Sequence, residues 1–297
     1  MTTHADAQTG VIHDIGYRPY TGPRLGRGYA TRSLYVQSLR AAFGLGRSGK
    51  SKVLPFLLVG GFAAPAVAIV AIAVFVGMPK FPMDYPQYLA GFGVLPQIFL
   101  AAQAPVLMSR DLRHHVVPLY FSRPLTRRDY VNAKAAAMVS ALLMLLVLPL
   151  LILFIGALLA GLPTGENATH LLYGLVAAVL YAVLYAAIGL LIAAATPRRG
   201  FGVAAIMGTL MITSAIALIL YGLSGGAQPV PDQSASWALL ISPSQLVSSL
   251  VNQLFGLADN PGVLHAPGSL GAAVFAAVLA AVSAACYGLL LRRYRNV

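Results

Sequence analysis

Six long runs of apolar residues govern what this chain can fold into. A bilayer core about 30 Å thick needs about 20 apolar residues in helix to cross it. The runs fall near residues 53–77, 90–108, 132–160, 170–195, 202–223 and 269–291. Composition agrees: 58% of the 297 residues are hydrophobic and 9% are charged, against about 25% charged in soluble domains. The expected fold is an all-α polytopic membrane protein with six transmembrane helices. The first run follows 52 polar and basic residues. A signal peptide would carry its apolar core much nearer Met1, so no cleavage is expected. The chain divides into a cytosolic N-terminal segment, 1–52, and a transmembrane domain, 53–297.

Lys and Arg set the orientation. They cluster in the N-terminal segment, in the loop after the second run, in the loop after the fourth, and in the tail. Nineteen of the 20 lie on one side and only Lys80 on the other. The positive-inside rule makes the rich side cytosolic, with both termini there. Residues 238–256, flanked by Trp237 and Phe255, test this. A seventh crossing there would turn Arg292, Arg293 and Arg295 outward. The segment also carries Ser242, Pro243, Ser244, Gln245, Ser248, Ser249, Asn252 and Gln253. A re-entrant or interfacial hairpin on the outer face is expected, since irregular backbone is tolerated at depth where protein or a wet cavity covers it.

Several motifs resemble catalytic ones and fail on context. Residues 44–51, Gly-Leu-Gly-Arg-Ser-Gly-Lys-Ser, match the phosphate-loop pattern letter for letter. That loop needs a strand before it and a helix N-terminus after it. Here Leu39 to Phe43 read as helix and a membrane span follows, so a basic hinge at the lipid headgroups is expected. Residues 223–228 echo the signature of ATP-binding cassette ATPases with one residue too many, and the adjacent glycines read as a turn. Gly222 to Gly225 resemble a rhomboid protease serine motif, but such a serine needs a histidine base. His4, His13, His114, His115, His170 and His265 all lie outside span interiors. Asp111 and His115 stand i, i+4, yet two ligands make no metal site, and the lone Cys286 makes neither a disulfide nor a cysteine metal site. No catalytic or metal-binding residue is assigned.

The span interiors hold no Asp, Glu, Lys, Arg or His. Ion-coupled carriers place such groups at mid-membrane, so energy for any transport is expected to enter through the cytosolic loops. Two loops look structured. In residues 29–43, Tyr35, Val36, Leu39, Ala42 and Phe43 fall on one side, and Ser33, Gln37 and Arg40 on the other. This pattern suits an interfacial helix and, equally, a plain topological anchor. After the second run come Arg110, Asp111, Arg113 and His114, then Leu119, Tyr120 and Phe121 between Pro118 and Pro124. Thr126 and Asp129 have capping-box spacing and start the third span's helix below the membrane. The whole reads as a basic cytosolic elbow suited to docking. Tyr173, Tyr181 and Tyr185 share one face of the fourth span and read as packing or interface anchors.

With these residues in hand the chain resembles the permease subunit of type-2 ATP-binding cassette (ABC-2) exporters. The resemblance covers essentially the whole chain. It rests on residues 12–24, Ile-His-Asp-Ile-Gly-Tyr-Arg-Pro-Tyr-Thr-Gly-Pro-Arg, on the interfacial helix, and on the elbow 119–125, Leu-Tyr-Phe-Ser-Arg-Pro-Leu. The span pattern and the outer hairpin complete it. It implies two permease subunits, identical or not, in a bacterial cytoplasmic membrane, each docked on a separate ATPase subunit that holds ATP and Mg. This chain would bind no cofactor itself and no nucleic acid, and would touch membrane lipids. The elbow would be the coupling helix over 110–121, with Arg110, Asp111 and Arg113 as polar contacts beside His114, Leu119 and Tyr120. The interfacial helix, with Tyr35, Val36, Leu39, Arg40 and Phe43, would be the second contact. Spans 2 and 5 would line the path, with Gln97, Phe99, Gln103, Met207, Thr209, Met211 and Thr213 as candidates. Each of these suits ordinary helix packing as well. The implied activity is export of an amphipathic drug, lipid or peptide; a non-transporting scaffold or immunity protein is the alternative.

Overall fold

The computed structural model describes residues 22, 25–109, 111, 120, 125–196, 198–226, 228, 233–257 and 263–295. Among them there are helices and no strand. The order is α1 (Arg27–Ala42), α2 (Lys50–Val76), α3 (Tyr85–Gly91), α4 (Val94–Leu107), α5 (Arg127–Leu159), α6 (Thr164–Ala195) and α7 (Arg199–Tyr221). A π turn (Gly222–Gly226), a 3-10 segment (Gln233–Ile241), α8 (Pro243–Leu254) and α9 (Gly268–Arg295) follow.

The helices α2, α5, α6, α7 and α9 are each long and apolar enough to cross a membrane. The second expected span differs. It is not one rod over 90–108 but the pair α3 and α4, bent by 61°. The sequence supplies the break. Pro96 lacks an N–H and its ring crowds the carbonyl of residue 92, and Gly91 and Gly93 flank that point. Asp84 and Gln87 close a capping box at the start of α3, which fixes the first limb separately from the second.

α5 begins where the capping pair placed it. The Asp129 N–H donates to Thr126 Oγ1 at 3.3 Å, and the Thr126 N–H donates to the Asp129 carboxylate at 2.9 Å. Its 33 residues extend about 50 Å, well beyond the hydrocarbon core, so its polar first turns stand outside that core.

α5 and α6 are the most buried of the long helices and form the centre. Lipid tails are as apolar as leucine, so helices in a bilayer gain by close packing at small residues. Gly189 of α6 lies against Leu100 of α4, and an added Cβ would come within 2.6 Å of its Cδ1. Gly156 of α5 meets Val70 of α2 in the same way, at 2.2 Å. By contrast α2, α7 and α9 turn most of their apolar surface outward.

Residues 238–256 contain no seventh crossing helix. Helical structure breaks at Ser242, whose Oγ accepts from the Gln245 N–H at 3.3 Å to start α8. α8 has 12 residues, about 18 Å, too short to span. It packs on α3, α6, α7 and α9 through Leu246, Val247, Leu250 and Val251. The phosphate-loop look-alike joins α1 to α2, helix to helix. Gly44 stands at φ 67°, and a Cβ there would meet the Ser51 carbonyl oxygen at 2.3 Å. Residues 222–226 form the turn that closes α7, with Gly225 at φ 89°.

Candidate functional site

Two clusters bring chemistry-bearing residues together. The first sits where α1, the end of α4, the start of α5 and the end of α9 meet. Asp111 accepts a hydrogen bond from the Tyr130 hydroxyl at 2.8 Å and an ion pair from Lys134 Nζ at 2.8 Å. Both charged side chains are largely shielded, 13% and 7% exposed. The Lys134 ammonium also lies 5.4 Å from the Tyr130 ring centre. Tyr130 packs on Tyr294 of α9 and on Tyr120, with ring centres 5.2 and 5.5 Å apart. Ser109 donates to the Ala193 carbonyl at 2.7 Å and ties the end of α4 to α6.

Asp111 was expected to reach out to a partner; the structure turns it inward instead. The reason is Lys134. A buried ammonium costs several kcal/mol unless paired, and Asp111 is its ion-pair partner. Tyr120 is half-buried against the same cluster. Arg110, Arg113, His114 and Leu119 lie outside the described residues.

α1 lies along the first turns of α5. Its inward stripe is Leu34, Ser38 and Ala42, with Tyr35, Leu39 and Phe43 partly buried beside it. The Tyr35 hydroxyl donates to Ser140 Oγ at 2.9 Å. Val36 departs from the expected apolar side. It is 39% exposed and shares the outer side with Arg40, because the stripe steps by three and four residues and passes it. Arg27 grips Asp129 through Nε and Nη2 at 2.6 and 2.8 Å. The hydrogen bond to Asp129, and then its charge, hold the Arg27 guanidinium above its ordinary pKa. Between α1, the end of α4 and Tyr120 opens a groove of about 1050 Å³, lined on one side by Arg32, Arg40 and Arg47.

The second cluster lies at the α3–α4 bend. A cavity of about 170 Å³ is bounded by Gly93, Gln97, Tyr181, Tyr185, Met211 and Ser214, with Ser244, Gln245 and Ser248 of α8. Gln97 Nε2 donates to the Tyr185 hydroxyl oxygen at 3.2 Å, and the Tyr181 hydroxyl donates to the Ser244 carbonyl at 3.2 Å. The hydroxyls of Ser214, Ser242 and Ser244 bond mutually at 2.9 to 3.0 Å. The lining is polar and uncharged, inside an apolar bundle.

Of the path candidates, the structure brings Gln97 and Met211 to this cavity. Phe99 is fully buried against Phe43, ring centres 5.7 Å apart. Gln103 is buried between helices and Met207 packs partly on the core. Thr209 faces outward, and the Thr213 hydroxyl bonds back to the Thr209 carbonyl at 2.6 Å. The sequence pattern marks Tyr181 and Tyr185 as packing or interface anchors and carries no signal for Ser214. The usable signal was the run of hydroxyls and amides from Ser242 to Ser249, which has no apolar explanation.

A family model described as ABC-2 family transporter protein matches residues 76–291, which takes in the bent pair, the polar cavity at the bend, and Asp111, Tyr120, Tyr130 and Lys134 of the first cluster, but not α1 or Tyr294. No curated protein matches the chain. With the match spanning well over half of its length, the chain belongs to the ABC-2 transporter family, as a multi-pass membrane component of a transporter.

Proposed function

We propose that this chain is the permease subunit of an ATP-driven exporter in a bacterial cytoplasmic membrane. A separate ATPase subunit, present in two copies, holds ATP and Mg, and two permease subunits pair in the membrane. The elbow over 110–121 docks on the ATPase, and α1 provides a second contact. The observation that carries this reading is the bonding of Asp111 to Tyr130 and Lys134. Those two residues belong to the first turns of α5. A displacement of Asp111 is therefore passed to α5, and through it to α6, by direct side-chain bonds. Closed, packed cores respond to such a push by switching between discrete arrangements. The uncharged polar cavity supports an amphipathic cargo that offers hydrogen bonds but no fixed charge, since an unpaired charge there would lose its hydration without a counter-ion.

The test is ATPase turnover of the chain co-purified with its candidate ATPase, with Arg113→Ala and Asp111→Asn compared against the unaltered chain. Stable association with turnover lowered by Arg113→Ala, or by Asp111→Asn in a chain whose thermal midpoint is unchanged, supports the coupling role. A well-folded chain that no ATPase accompanies would sink it and put the scaffold reading ahead.

A further inference from the structure

The start of α5 and the end of α9 meet in a strongly basic corner outside the elbow over 110–121. Arg127 Nη1 donates to the Arg295 carbonyl oxygen at 2.7 Å, which locks the two helix ends side by side. A cavity of about 480 Å³ opens there, lined by Arg127, Arg128, Gly288, Leu291, Arg292 and Arg295. A second, of about 790 Å³, shares Arg127, Arg128 and Arg295 with it and adds Arg27, Leu125 and Thr126. Among the described residues no carboxylate lines either cavity. The nearest, Asp129, is engaged by Arg27 and by its own cap.

Arg128 and Arg292 bring two further positive charges into this corner, and like charges held this close favour an anion between them. We propose that this corner binds the phosphodiester headgroup of an anionic phospholipid. Depth argues for a lipid. The Tyr287 hydroxyl donates to Asn132 Oδ1 and sets α5 and α9 at one level. Arg128 and Arg292 then lie about 6 to 7.5 Å further toward the helix ends. That is headgroup depth, just beyond the apolar stretch. The cavity wall is Gly288 and Leu291, and one to two turns above it Ala281, Ala284 and Ala285 are exposed on the same face of α9, along which acyl chains lie. Basic pockets between transmembrane helices on the cytosolic side are suited to such headgroups. The inference rests on the orientation in the proposed function, with this end cytosolic.

The experiment uses the full chain in detergent and native mass spectrometry. The probes are phosphatidylglycerol and phosphatidylcholine of matched acyl chains, with soluble glycerol phosphate as competitor. The expected result is phosphatidylglycerol retained on the order of tenfold over phosphatidylcholine. Arg128→Gln with Arg292→Gln brings that ratio near one, while the Lys versions keep it. Arg198→Gln with Arg199→Gln, on another loop, leaves it unchanged. Four results overturn the proposal. The ratio survives the Gln pair; the control pair lowers it equally, which is diffuse attraction; or glycerol phosphate displaces the lipid, which is a free-anion site. In the fourth, the Gln pair sheds a co-purified ATPase with the lipid ratio intact, which is a protein-docking surface. Both arginines are exposed, and thermal unfolding checks that the variants fold. Failure of any ATPase to associate, with lipid selectivity intact, would count against the exporter alone.

Discussion

Asp111 and Lys134 form a shielded ion pair at 2.8 Å that fastens Asp111 to the start of α5. Breaking one side strands the other. Lys134→Ala is expected to cost on the order of 3 kcal/mol and to lower the thermal unfolding midpoint in detergent. Asp111→Asn with Lys134→Met, which removes both charges, should recover most of that loss. A double variant no more stable than Lys134→Ala would mean that the pair is not what holds the corner.

Gly189 sits where α6 touches α4. A valine there has to displace Leu100, which the added Cβ would approach to 2.6 Å. Overpacking of this kind costs about 1 to 3 kcal/mol. Gly189→Val should therefore unfold earlier on heating, whereas Gly60→Ala on α2, where nothing lies within 4 Å, should change the midpoint little.

The loop at 44–51 separates two ideas cleanly. If it is a hinge, Lys50→Ala leaves turnover of the ATPase complex unchanged and the isolated chain takes up no labelled ATP. Gly44→Ala destabilises, by about 1 to 3 kcal/mol, because φ is 67° and the Ser51 carbonyl fills the Cβ position. ATP bound by the isolated chain and lost in Lys50→Ala would reverse this assignment.

The hydroxyl cluster at the bend should tolerate loss of a bond better than loss of space. In Ser214→Ala, Ser242 and Ser244 keep their mutual bond at 2.9 Å, so stability should fall by about 1 kcal/mol or less. Ser214→Leu intrudes into the cavity of about 170 Å³ with a bulky apolar side chain. It should abolish stimulation of the ATPase by transported substrate while basal turnover persists. Undiminished stimulation would place the cargo elsewhere.

Thr126 caps the longest helix. Thr126→Ala should cost about 1 kcal/mol, read as earlier thermal unfolding, and Thr126→Ser should not. An equal loss in both would point to packing of the methyl group instead of the cap.

Much of this protein was written in local pattern. Apolar runs long enough to cross a bilayer mark helices because lipid leaves the backbone no other partner, and α2, α5, α6, α7 and α9 lie where those runs lie. The Thr126 and Asp129 cap, the glycine turn at 222–226 and the absence of a strand before Gly44 were legible for the same reason: each depends on a few neighbouring residues. The bend between α3 and α4 was half legible, in Gly91, Gly93 and Pro96, but hydropathy averages over such breaks. What only the tertiary structure decided are contacts between distant parts of the chain. Asp111 looked like a surface charge until Lys134, on another helix, claimed it. Val36 looked buried until α1 found its seat on α5. Tyr181 and Tyr185 looked like packing or interface anchors, and Ser244 like part of an outer hairpin, until the bend brought α6, α7 and α8 around one cavity. Bilayer thickness fixes which segments become helices, and close packing of side chains far apart in sequence fixes which of their faces meet.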